Sequence, residues 1–191
     1  MTDTGGDSDA ALVEHALAGD DAAFAQLMAR HKQWAFRFVR RYVGNADDAY
    51  DVLQDTFFSA WLALARYQPH RPFDIWLRRI ALNKCRDRAR REAVRRVFTG
   101  FMGGDSDSID LPDTSAGPEA QAAAGQELEQ LERSLATLPR SLKEPLLLTA
   151  LEGLSHQQAA EVLGLNAKAV EMRIYRARER LSALREPKRS R

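Results

Sequence analysis

Apolar residues in this chain recur at spacings of three and four almost throughout, and the runs are separated by Gly, Asn, Asp, Ser or Pro. That pattern admits helices and little else, so the expected fold is all-α. One stretch breaks it. From about Phe98 to Gly125 the sequence FTGFMGGDSDSIDLPDTSAGPEAQAAAG has no amphipathic period and the composition of a flexible acidic linker. A chain of 191 residues is thereby divided into two small helical domains. The expected limits are a disordered N-terminus at 1–8, a first domain at 9–97, the linker at 98–125, a second domain at 126–186 and a basic tail at 187–191.

In the first domain, Leu12, Val13, Ala16 and Leu17 form a short stripe that ends at Gly19. Asp20 is placed to cap a helix carrying Phe24, Leu27, Met28, Ala35, Phe38, Val39 and Tyr42 inward, ended by Gly44. Asn45 can cap the next, with Ala49, Leu53, Phe57, Ala60, Trp61 and Leu64 facing the core and Asp47, Asp51, Asp55 and Ser59 along another face. Past the turn-prone Gln68-Pro69-His70-Arg71-Pro72, a long helix starts near Phe73 and buries Phe73, Trp76, Leu77, Ile80 and Ala81. In the second domain, Leu128, Leu131, Leu135 and Leu138 precede a break at Pro139. There SLKE at 141–144 reads as a capping box ahead of Leu146, Leu147, Leu148 and Leu151, with a stop at Gly153. Ser155 and Gln158 make a second capping box, Gly164-Leu165-Asn166 a turn, and Val170, Ile174, Ala177, Leu181 and Leu184 the buried stripe of a final helix.

The net charge of +1 conceals a sorting of charge along the chain. Residues 1–65 hold 5 Lys/Arg and 10 Asp/Glu, 66–96 hold 11 and 3, 97–132 hold none and 8, and 168–191 hold 9 and 3. Two basic blocks flanking an acidic one suggest two separate contacts with a polyanion, or else solvated helix faces. No apolar run approaches the roughly 18–20 residues that cross a bilayer, and the N-terminus MTDTGGDSDA is acidic where a secretory signal is basic. A soluble, cytoplasmic protein with no direct membrane insertion is expected. The single Cys85 and the scattered His15, His31, His70 and His156 offer neither a disulfide scaffold nor metal-ligand spacing, and no phosphate loop, nucleophile elbow or HExxH occurs. The expectation is a protein that is not an enzyme, with no catalytic residue, metal or cofactor.

Two constellations carry the functional reading. At the C-terminus, Ala159 and Ala160 are small where helices must approach, Gly164 supplies a left-handed turn and Asn166 caps the next helix: a helix-turn-helix, or an ordinary helical hairpin with a solvated face. Its outer face would present Lys168, Glu171, Met172, Tyr175 and Arg176 to a major groove, with Arg173, Arg178 and Arg180 available for phosphates or internal ion pairs. On the long helix of the first domain, Arg79, Asn83, Arg86 and Arg90 form one stripe, and Tyr67, His70, Phe73 and Trp76 sit where it begins. Those aromatics are stacking platforms for single-stranded bases or simply core. The carboxylates Asp47, Asp48, Asp51 and Asp55 cannot meet DNA, so they face water or a basic protein partner.

These motifs together resemble the extracytoplasmic-function (group four) sigma factors of bacterial RNA polymerase, over nearly the whole chain. DDAYDVLQDTFFSAW at 47–61 is similar to the family's polymerase-docking motif, RPFDIWLRRIALNKCRDRARR at 71–91 to its promoter-melting helix, and GLSHQQAAEVLGLNAKAVEMRIYRARERL at 153–181 to its DNA-reading motif. The resemblance implies that Asp48, Asp51, Gln54, Asp55 and Phe58 dock on the clamp helices of the largest subunit of core polymerase, while the second domain meets the flap. It implies that Tyr67, His70, Arg71, Trp76, Arg79, Asn83, Arg86 and Arg90 melt the −10 element and capture a flipped base. It further implies that Asn166, Lys168, Ala169, Glu171, Met172, Arg173, Tyr175 and Arg176 contact the −35 element. Promoter DNA, core RNA polymerase and an anti-sigma factor are the implied partners, and no nucleotide is needed for melting. Where many relatives have Gly-Thr-Val, a basic residue and Ser, this chain has Ala169, Val170, Glu171 and Met172 after Lys168, so its promoter sequence does not transfer from them. A free-standing helix-turn-helix regulator would use the same C-terminal helix without the polymerase.

Overall fold

Most of the helices begin where a short polar side chain satisfies backbone N–H groups that the first turn leaves unpaired. The computed structural model describes residues 7–101, 134–135 and 137–185. Among them α1 spans Asp9–Leu17, α2 Asp21–Val43, α3 Ala46–Ala63 and α4 Phe73–Phe101, with a 3₁₀ turn at Leu64–Arg66. Then α5 spans Arg140–Leu146, a π turn Leu147–Leu151, α6 His156–Leu163 and α7 Ala167–Arg185. No strand occurs among the described residues, as the periodicity predicts. Ser8 caps α1, Asp20 accepts from the amides of Ala22 and Ala23, and Asn45 accepts from that of Asp48. Gly44 closes α2 at φ 95°, a left-handed conformation that favours glycine.

The chain divides into two compact units, Met1–Glu92 and Ala93–Arg191. In the first, α1, α2, α3 and the start of α4 enclose Leu12, Val13, Phe24, Leu27, Ala60, Leu64, Phe73 and Leu77, with Phe38, Val39, Leu53, Leu82 and Cys85 buried alongside. Removing a leucine of this kind from water contributes about 1.5–3 kcal/mol. α1 is also tied down by polar contacts: Asp9 meets Arg30 at 2.5 Å and His31 Nε2 at 2.9 Å. His31 Nδ1 in turn accepts from Trp34 Nε1 at 2.9 Å, and the Arg78 guanidinium lies 4.2 Å from the centre of the Trp34 ring.

Several expectations shift. Leu17, expected in the α1 stripe, is 51% exposed because α1 ends there and Gly19 turns the chain away. Trp61 is exposed, its ring centre 4.8 Å from that of Phe24 at the edge of the core. Trp76 and Ile80 are half-buried, while Ile75 and Leu82 are buried. α4 continues to Phe101, four residues into the expected linker, whose remainder lies outside the described residues. Leu128, Leu131, the tail at 187–191 and the side chain of Leu184 also lie outside them.

In the second unit Leu138, Leu146, Leu147, Leu148, Leu154, Ala159, Ala160, Val162, Val170, Ile174 and Ala177 are buried, and Leu135 with them. The SLKE capping box does not form: α5 begins at Arg140 with Pro139 at its N-cap and no side-chain cap, so Ser141 already lies inside the helix. The fixed φ of Pro139 starts the helix ahead of the serine. Pro145 then brings its ring against the preceding turn and offers no N–H, and the helix widens into the π turn that follows, where the Glu152 amide bonds the Leu147 carbonyl at 3.1 Å.

Candidate nucleic-acid interface

The outer face of α3 is acidic for a simple reason of register. Ala49, Val52, Leu53, Thr56 and Ala60 point inward, which leaves Asp47, Asp51, Gln54, Asp55 and Phe58 exposed. Asp48 departs from the expected ridge. It is buried, because it lies four residues before Val52 on the inward side, and it pairs with Arg88 from α4. Asn45 Nδ2 donates to its other oxygen at 2.7 Å. Burial pushes this carboxyl up, but the hydrogen bonds from Asn45 and Arg88 outweigh it and hold the group below its ordinary value. The bond to Asp48 raises Arg88 correspondingly. Arg88 escapes the sequence reading; the inward register of Asp48 is the signal that it needs a cation from another helix. Beside the ridge, Phe24, Met28, Phe57, Phe58 and Trp61 line an apolar groove of about 470 Å³ bordered by Asp21 and Gln54. Periodicity alone does not reveal this groove, since its residues belong to the edges of two helical stripes.

The loop before α4 and the first turns of α4 form a cationic groove of about 410 Å³ lined by Arg66, Gln68, Arg71, Trp76, Arg79, Ile80 and Asn83. Trp76, Arg79 and Asn83 are thus brought together as the spacing suggests, Arg71, which only the resemblance implies, lines the same groove, and His70 is exposed on the same loop. Arg86 continues the stripe, donating to Asn83 Oδ1 at 3.4 Å, and exposed Arg90 pairs with Asp87 at 3.5 Å. Tyr67 lies elsewhere. It is 8% exposed, its ring centre 5.6 Å from that of Phe73 and 5.3 Å from that of Trp76, and its hydroxyl donates to the Arg71 carbonyl. Burial, then the negative charges of Asp9 and Asp74, push its hydroxyl pKa up. Tyr67 therefore shapes the loop from beneath and leaves the groove surface to its neighbours. Arg66 and Gln68 are additions to the residues expected from spacing.

In the second unit, Ser155 and Gln158 close the capping box, the Gln158 amide bonding Ser155 Oγ at 3.2 Å and the Ser155 amide bonding Gln158 Oε1 at 2.9 Å. Gly164 takes φ 69°, and Asn166 Oδ1 accepts from the Ala169 amide at 2.7 Å to start α7. Ala159 and Ala160 are buried where α6 packs, as two close helices require. Val170, Ile174 and Ala177 face that packing, so Asn166, Lys168, Glu171, Met172, Tyr175 and Arg176 stand exposed together on the other side; Ala169 and Arg173 are half-buried at its margin. Lys168 Nζ lies 3.0 Å from Glu171 Oε2, and the bond to Glu179 raises the Tyr175 hydroxyl pKa. The arrangement is a helix-turn-helix whose second helix offers a polar, net basic face.

Among known proteins, the family model Sigma-70 region 2 matches residues 27–95, and Sigma-70, region 4 matches residues 128–181. The RNA polymerase sigma factor CnrH of Cupriavidus metallidurans is 43% identical over 180 residues, covering 93% of this chain and 94% of the relative. The ECF RNA polymerase sigma-E factor of Haemophilus influenzae is 32% identical over 177 residues, covering 90% and 92%. The chain is an ECF sigma factor. Its fold agrees with a solved structure of CnrH in complex with the cytosolic domain of CnrY, at a TM-score of 0.69 and 38% identity over 93% of this sigma factor and 97% of that chain. The region 2 match holds the ridge and the cationic groove, and the region 4 match holds the helix-turn-helix. No helix among the described residues of the sigma factor is long and apolar enough to cross a membrane, and no group of three or more His, Cys, Asp or Glu among them could hold a metal ion.

Proposed function

We propose that this sigma factor directs core RNA polymerase to promoters made of two separated elements and is held in check by a protein that binds it. The single observation that carries the assignment is the order of parts on one chain: a region 2 match containing an acidic ridge beside a cationic groove, then a region 4 match containing an exposed recognition helix. In this assignment Asp51, Gln54, Asp55 and Phe58 dock on the clamp helices of the largest polymerase subunit, and Asp48 holds α3 in place for them. Arg71, Trp76, Arg79, Asn83, Arg86 and Arg90, with His70 and the added Arg66 and Gln68, receive the opened −10 strand. Unstacking a base step costs a few kcal/mol, which stacking on Trp76 and phosphate contacts to the arginines offset. Residues on the outer face of α7 read the −35 element while the second domain rests on the flap.

The domain limits 9–97 and 126–186, the linker 98–125 and the tail 187–191 follow the same assignment, with the acidic linker suited to a basic channel of the polymerase. Sigma factors are not a catalytic class in themselves; the chemistry belongs to the polymerase, whose compartment, the cytoplasm, is then the place of action. That CnrH is bound by the cytosolic domain of CnrY supports control by an inhibitory partner of the anti-sigma kind.

The decisive experiment adds the purified chain to core polymerase on a promoter library and maps the transcripts. Specific start sites that core enzyme alone does not use are expected. A chain that neither co-purifies with core nor changes its start sites defeats the assignment, and full function of Asp51→Lys would favour a regulator that acts without the polymerase.

A further inference from the structure

Helix α7 opens with an ion pair on its outward face. Lys168 and Glu171 are 73% and 51% exposed at their side chains, so packing does not dictate their identity. Val170 and Ile174 are buried on the opposite side, and the Asn166 cap fixes the helix start just before the pair. Lys168 and Glu171 therefore occupy the first two turns, the part of a recognition helix whose side chains reach base edges. A lone carboxylate entering the groove of a polyanion is repelled. Here an ammonium 3.0 Å away cancels that charge and contacts only one carboxylate oxygen, Oε2. The carboxylate retains the capacity to accept a hydrogen bond and the ammonium, with three hydrogens, the capacity to donate more.

A G·C pair presents the complementary pattern in the major groove: the cytosine N4 amino donor next to the guanine O6 and N7 acceptors. An A·T pair sets its amino donor between two separated acceptors, N7 and O4, so an ammonium beside the carboxylate meets one acceptor there instead of two. We propose that Lys168 and Glu171 act as one unit that reads a single G·C base pair of the upstream promoter element, Glu171 accepting from cytosine N4 and Lys168 donating to the guanine edge. The inference rests on the promoter-binding function proposed above and adds to it the base pair that this exposed ion pair selects.

The test uses the full chain with core polymerase on promoters in which every upstream-element position is varied, comparing wild type, Glu171→Ala, Lys168→Ala and the double variant. All four should keep their helix content, because both positions are exposed and alanine favours helix. Wild type is expected to lose about tenfold in start-site use when one particular G·C pair is replaced. Glu171→Ala should flatten the preference at that position alone, and the double variant should transcribe better than Lys168→Ala, which leaves a carboxylate unpaired against DNA. A Glu171→Ala profile that superimposes on wild type, or strictly additive single effects, would overturn the proposal while start-site selection by wild type stays intact. Absence of any specific start with wild type would overturn both the proposal and the function beneath it, and so is told apart from failure of the proposal alone.

Discussion

Asp48 shows how one side chain can be misjudged from spacing and still be indispensable. Its neighbours Asp47 and Asp51 are solvated, but Asp48 turns inward to Arg88 and Asn45. Replacing it with asparagine leaves the half-buried Arg88 beside a neutral group, and Asp48→Asn should lower unfolding free energy by about 1.5–3 kcal/mol, measured by denaturant titration at neutral pH. The sign of the pH dependence follows from the direction of its shift. The folded group titrates below its unfolded value of about 3.9, so its contribution is complete above that value and is lost as pH falls through the lower folded one. Wild type should therefore lose stability more steeply than Asp48→Asn below about pH 4. At the other end of the chain, exposed Arg176 has no structural duty in the core of the second unit. Arg176→Ala should weaken upstream-element binding by about 1–3 kcal/mol in a gel-shift or filter assay and leave association with core polymerase unchanged.

At the level of helices, caps carry the predictions and explain how much could be read in advance. Ser155→Ala removes one half of a reciprocal cap and should cost the second unit about 1 kcal/mol, seen as a lowered denaturation midpoint. The caps at Asp20, Asn45, Ser155 and Asn166 were legible because a short acceptor ahead of an apolar period has one local use. Helix-turn-helix geometry followed from the same local signals. SLKE failed because Pro139 competes for the start of the helix, and the π turn was invisible because its cause, Pro145, is read from sequence only as a breaker. Long-range partners were beyond reach for a different reason: Asp48 and Arg88 lie forty residues apart, and no local period connects them. Spacing leaves Tyr67 open as stacking platform or core and only the resemblance puts it on the DNA side, whereas its burial is set by packing against Phe73 and Trp76. On α3, Asp51→Lys reverses charge at an exposed position and should reduce co-purification with core polymerase while promoter-element binding by the second unit persists.

For the molecule as a whole, two separate apolar cores imply two separate melting events. Leu53→Ala, in the first core, should cost about 2–5 kcal/mol and lower one calorimetric transition, whereas Ile174→Ala should lower only the other. A single transition displaced by both substitutions would contradict that division. The tie between Asp48 and Arg88 acquires a mechanical meaning at this scale. It joins the helix that carries the acidic ridge to the helix that carries the cationic groove, so the two faces are tied to each other by an ion pair within the first unit. On the proposed docking, seating the ridge against the enzyme also aims the groove, so that a strand received there as proposed would keep its alignment with the machine that must copy its partner.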